Sequence, residues 1–125
     1  MSNEKIIQWC KSKDFQNPIH LSALLSIFNP DIDELNAWNI SCIDANHYII
    51  NDTHYYIYSE EDQNTNLAQY KQSIQDDYLF EVPEELHEFI DWESFWKENP
   101  ITLEMYTEGL DKIIFKNIIY YYCER

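Results

Sequence analysis

The sequence predicts an α+β fold, a single acidic domain over residues 1–125 with N-terminal helices, a central antiparallel sheet of about five strands, and acidic helices packed on one side. Three observations predict it. Apolar residues recur at i, i+3, i+4 and i+7 in Leu21, Leu24, Leu25 and Phe28, the stripe of a buried helix. Segments rich in β-branched and aromatic residues follow, from Trp38 to Ile43, His47 to Ile50 and His54 to Tyr58. From Glu61 the helical period returns. A chain of 125 residues is long enough for one continuous core and short for two.

Ser2 is placed to cap a first helix running to about Lys13, with Ile6, Trp9, Cys10 and Lys13 along one side. Asn17 and Pro18 open the second helix, and Asn29 and Pro30 end it. Asp31, Asp33 and Glu34 read as a short acidic turn before the first strand. Asn51 and Asp52 read as the turn of a hairpin. Leu67, Tyr70, Lys71 and Ile74 define a third helix to Asp76 and Asp77, followed by an extended piece from Tyr78 to Val82. Pro83 suits the first position of a helix over Glu84 to Phe89, since it has no amide hydrogen to satisfy there. Asp91 caps a further turn holding Trp92, Phe95 and Trp96, which Asn99 and Pro100 stop. Residues 101–106 and 112–122 read as a hairpin closed around Gly109, the chain's only glycine.

Charge is the most informative property. The chain has 23 acidic and 8 basic side chains, a formal net of −15, and the excess is uneven. Residues 60–111 hold 15 acidic and 2 basic groups, whereas residues 1–59 net −4 and residues 112–125 net +2. Leu67, Tyr70, Ile74, Leu86, Phe89, Ile90, Phe95 and Trp96 run through the acidic block at core-forming spacing, so the acid is carried on folded structure rather than on a disordered tail.

Several chemistries lack their residues. One glycine cannot build the loops that cradle phosphates, which argues against nucleotide cofactors, and no serine stands in a nucleophile elbow. No lysine has Asp or Glu two positions before it, so the carboxylate-x-lysine pairing of restriction-type nucleases is missing. Cys10, Cys42 and Cys123 are widely spaced and odd in number, which fits buried free thiols in a reducing compartment and not a zinc site; His47 and His54 fall in strands. Asp91 with Glu93 is the nearest approach to paired carboxylates for a divalent cation, a pattern more often solvated charge at a helix start. His20 and His87 read as structural. No metal, no cofactor and no catalytic residue is therefore expected.

The tyrosine runs Tyr55, Tyr56, Tyr58 and Tyr120 to Tyr122 have few basic neighbours, which argues against direct nucleic-acid binding. Alternating strand faces explain them, one side core and the other a surface compatible with a homodimer contact. No apolar run approaches a bilayer span and the first residues do not form a secretory signal, so a cytoplasmic location is expected.

On an α-helix Glu84, Glu88 and Asp91 share one face, flanked by Glu81 and Glu85, with Leu86, Phe89 and Ile90 opposite. Side chains so placed are about 5–6 Å apart, comparable to the roughly 3.4 Å per charge of a nucleic-acid strand. Such a row suits a pocket built for phosphates. The contact candidates are Glu81, Glu84, Glu85, Glu88, Asp91 and Glu93, with Glu60, Glu61, Asp62, Asp76 and Asp77 outside them.

The segment from Tyr55 to Trp96, with YYIYSEED, LAQYKQSI and EVPEELHEFIDWESF, resembles the C-terminal part of ArdA-type antirestriction proteins. The likeness lies in a short strand, a helix like Asn66–Ile74, an acidic loop, the Val82-Pro83 helix start and the element Phe89-Ile90-Asp91-Trp92. It covers about a third of the chain, and the Arg-Asp-Leu common in that family is replaced by Trp96-Lys97-Glu98. The resemblance implies a phage- or plasmid-borne DNA mimic that blocks a host defence nuclease. The expected partner is the basic DNA-binding surface of a restriction or CRISPR-Cas complex. An immunity or antitoxin-like protein that masks a basic toxin is the alternative.

Overall fold

Polar caps, rather than apolar pattern alone, set where the N-terminal helices begin. In the computed structural model, which describes residues 1–125, the Ser2 side chain accepts from the Lys5 amide and starts α1 (Asn3–Ser12). Asn17 accepts from the His20 amide and starts α2 (Pro18–Ser26). Residues 31–37, read from sequence as a turn, form a third helix, α3 (Ile32–Ala37). The reason is a capping box: Asp31 accepts from the Glu34 amide at 2.8 Å, and the Glu34 carboxylate accepts from the Asp31 amide.

The chain divides into two compact units, residues 1–60 with 109–125, and residues 61–108. The first carries all five strands. They are β1 (Ile40–Asp44), β2 (His47–Ile50), β3 (Thr53–Ser59), β4 (Asp111–Phe115) and β5 (Ile118–Glu124), antiparallel throughout in the order β1-β2-β3-β5-β4. Asn51 and Asp52 turn β2 into β3 with φ of 48° and 70°, the left-handed pair that a two-residue hairpin requires. Lys116 and Asn117 do the same between β4 and β5, at 51° and 65°.

That second turn corrects the C-terminal expectation. Residues 112–122 are not one strand but two, folded back at Lys116-Asn117. Residues 101–106 are not a strand. Leu103–Tyr106 form a short helix (named α6 below) because the Thr102 side chain accepts from the Met105 amide. Gly109, with φ 86°, lies between that helix and β4 and not in the hairpin.

The core of the first unit lies between one sheet face and the helices. Tyr48, Ile50, Tyr55, Ile57, Ile113, Phe115 and Tyr120 meet Ile6, Ile7, Cys10, Leu21, Leu24, Leu25 and Leu35. Phe28, the last residue of the predicted stripe, stands beyond the end of α2 and is exposed, with its ring edge against Trp38 and Tyr55. The tyrosine runs alternate as strand geometry demands: Tyr55 and Tyr120 face this core, while Tyr56 and Tyr121 point to the other face. His20 has a structural place, its ring edge-on to Tyr120 and its Nδ1 2.6 Å from the Asn17 side-chain amide.

The second unit is helical. The helix α4 (Glu60–Phe80) runs 21 residues, three beyond the expected end at Asp77, so the predicted extended piece at Tyr78 begins inside it. A 3₁₀ helix follows at Glu84–Phe89, then α5 (Trp92–Glu98) and α6. One flank of α4 carries the later helices: Tyr70 meets Tyr106 at 5.6 Å, Tyr78 meets Phe95 at 5.2 Å, and the Trp96 indole donates to Gln75 at 2.7 Å. No helix of the chain is long and apolar enough to cross a membrane.

Candidate functional site

Between Lys71 and Lys97 the chain has no basic residue other than His87 and eight carboxylates: Asp76, Asp77, Glu81, Glu84, Glu85, Glu88, Asp91 and Glu93. All eight are exposed, and none forms an ion pair. Asp76 and Asp77 stand in the last turn of α4, which has no basic side chain. A carboxylate there opposes the helix dipole and costs about 0.3–1 kcal/mol. The placement is unfavourable for the helix itself.

The 3₁₀ geometry changes how the central acids are arrayed. Leu86 N–H donates to the Pro83 carbonyl and Ile90 N–H to His87, both spans of three residues. With three residues per turn, Glu85 and Glu88 share a side, about 6 Å apart along the axis, while Glu84 aligns with His87. Glu84, Glu88 and Asp91 therefore do not form the α-helical row that the sequence suggests. Pro83 and Ile90, both extended, bracket only six residues, and Pro83 precedes the helix rather than occupying its first position. His87 holds the segment in place: its Nε2 lies 3.0 Å from the Leu79 carbonyl and 2.7 Å from that of Val82, so it donates to both. His87 is structural, as expected from sequence.

Asp91 lies outside the 3₁₀ helix and caps α5. Its carboxylate accepts the Ser94 amide at 3.1 Å and the Ser94 hydroxyl at 2.8 Å. These bonds hold the Asp91 carboxyl below its ordinary range, so it is charged at neutral pH but already engaged. Glu93 is in the first turn of α5, where the dipole favours it. No group of three or more His, Cys, Asp or Glu side chains is arranged to hold a metal ion.

The outer candidates separate into two places. Asp76 and Asp77 lie at the end of α4 that leads into the acidic segment. Glu60, Glu61 and Asp62 occupy its other end, about 21 Å away at 1.5 Å per residue. Asp62 is half-buried and Glu60 likewise, so these three do not extend the same cluster.

Apolar side chains at the surface are what the sequence reading missed. Leu86 and Phe89, expected on a buried side, are 48% and 73% exposed, and Phe80 is 92% exposed. The i, i+3 relation that eclipses side chains on a 3₁₀ helix brings Leu86 and Phe89 to one side together. An α-helical period assigned them to a core that a six-residue 3₁₀ helix does not supply. Phe80 had one sequence signal: Asp76, Asp77 and Glu81 surround it with charge.

Compared with protein-family models, with curated proteins and with solved structures, the chain finds no match.

Proposed function

We propose that this protein is a stoichiometric inhibitor of a DNA-handling defence enzyme, a restriction or CRISPR-Cas complex, and that residues 76–93 occupy the enzyme's basic DNA-binding surface. One observation carries the reading: eight exposed carboxylates within this segment have no lysine or arginine at ion-pair distance. An uncompensated negative surface is attracted to a positive one over several ångströms, which speeds encounter and makes the complex salt-sensitive. The resemblance of Tyr55–Trp96 to ArdA-type proteins supports the same target class. The carboxylates act as a cluster around the end of α4 and the 3₁₀ helix rather than as a single straight row.

The test is displacement of labelled duplex DNA from a panel of restriction and Cas complexes, read by fluorescence anisotropy at low salt. Wild-type protein displaces DNA from at least one of them, and added salt weakens the effect. Replacing Glu84, Glu85 and Glu88 by lysine takes the net charge of residues 60–111 from −13 to −7. At roughly 1 kcal/mol per exposed charge contact, this raises the concentration needed about a hundredfold. A folded triple variant with undiminished potency overturns the assignment of this surface.

The exposed Phe80, Leu86 and Phe89 favour a second reading, an immunity-type protein that masks a basic toxin through a mixed apolar and charged interface. Tight binding to a toxin with no competition against DNA would select it.

A further inference from the structure

We infer that the second unit has a receptor pocket for an arginine side chain of its partner, formed by Tyr78, Phe95 and Trp96. This rests on the reading above that a basic surface docks against the acidic segment, and it adds the chemistry of one specific contact. The three rings, with Ile74 and the turn at residues 99–101, line a cavity of about 380 Å³. The cavity wall contains no charged side chain.

Its geometry is fixed from behind. The Trp96 indole N–H is held by Gln75, the Phe95 ring stands edge-on to Tyr78 and to Trp96, and the Asn99 side-chain amide donates to the Phe95 carbonyl at 3.0 Å. Asn99 is the one residue of the wall with a side-chain amide. Lys71 places its ammonium 5.3 Å from the Trp96 ring centre, so this indole already attracts a cation.

Charge selects the occupant. Tyr78 directly follows Asp76 and Asp77, and Phe95 and Trp96 lie between Glu93 and Glu98, so carboxylates accompany the rings in sequence. A neutral apolar side chain gains nothing from that field. A guanidinium gains from it, stacks on aromatic faces, and sheds its water more readily than an ammonium.

The experiment is a ¹H–¹⁵N NMR titration of the full chain with N-acetyl-arginine amide, using N-acetyl-norleucine amide as the uncharged probe. Arginine amide shifts the Trp96 indole N–H saturably and binds about fivefold more tightly than norleucine amide. Phe95→Ala weakens arginine binding by about the same factor. Ile101→Lys, which brings an ammonium to the cavity without removing a ring, also weakens it and serves where Phe95→Ala fails to fold by circular dichroism. Lys71→Gln strengthens binding, because it removes a competing cation. Equal affinity for the two probes overturns the inference, as does an arginine response that spares Trp96 or survives Ile101→Lys in a folded protein. DNA displacement without arginine binding defeats the pocket alone; arginine binding without DNA displacement defeats the proposed function alone.

Discussion

Replacing Tyr48 by phenylalanine tests the polar centre of the sheet-and-helix unit with a single atom. Tyr48 is fully buried, and its hydroxyl lies 3.1 Å from the carbonyls of both Asn17 and Ala45, so it joins the cap of α2 to the turn after β1. The two acceptors fare differently when it goes. The Asn17 carbonyl keeps the Leu21 amide. The Ala45 carbonyl faces Nδ1 of His20, which the Asn17 side-chain amide makes an acceptor, so it loses its donor. One lost bond with one carbonyl left poorly satisfied costs about 1–2 kcal/mol. Urea unfolding measures this as a lower midpoint at unchanged slope. The same variant has a signature at high pH. Burial, the largest cause, raises the Tyr48 phenol above its ordinary 10.0. A raised acid keeps its proton in the folded state, so its contribution is complete below pH 10 and is lost as pH rises beyond it. Stability of the wild type therefore falls above pH 10 by up to about 1.4 kcal/mol per pH unit from this group. Tyr48→Phe lacks that component. A variant as stable as wild type at pH 7, with the same alkaline slope, refutes the reasoning.

Asn117→Val is expected to cost about 1–2 kcal/mol in thermal or urea unfolding, because a β-branched residue resists φ of 65°, whereas Asn117→Gly retains full stability. Asp91→Ala removes both bonds to Ser94, and loss of α5 is expected as a fall in helical circular dichroism and a red shift of tryptophan emission. Because Asp91 is held below its ordinary 3.8, its contribution is present above that pH and fades as pH falls further; the variant shows no such acid step. Of the three free thiols, Cys42 and Cys123 are half-exposed and react first with a disulfide reagent, whereas Cys10, buried and with its thiol pushed up by burial, reacts only at the rate of unfolding.

Much of the fold was legible where one local signal dominated. Ser2 and Asn17 cap where their side chains suggested, and the β2–β3 hairpin turns at Asn51-Asp52. Legibility failed where two signals overlapped. Asp31 and Glu34 resemble a polar turn until their spacing is recognised as a capping box. Lys116-Asn117 was hidden inside a run of isoleucine and tyrosine, since lysine rarely marks a left-handed turn. Of the candidate site, the exposure of the carboxylates was readable from charge alone. Their arrangement was not, because an α-helix and a 3₁₀ helix share a composition and differ only in hydrogen bonds three or four residues apart. The exposure of Phe89 followed from the same ambiguity.

The position of β5 between β3 and β4 has a consequence for modularity. Chain order inserts 51 residues, 60–110, between two strands that are not neighbours, and the strand joining them arrives last. Ser59 and Asp111 pair with Tyr120 and Tyr122 on the same central strand, which sets the exit and re-entry points about 12 Å apart by strand spacing and rise. A glycine-serine bridge long enough for that gap is expected to leave the order and register of the five strands unchanged, which amide hydrogen exchange in β3 and β5 checks.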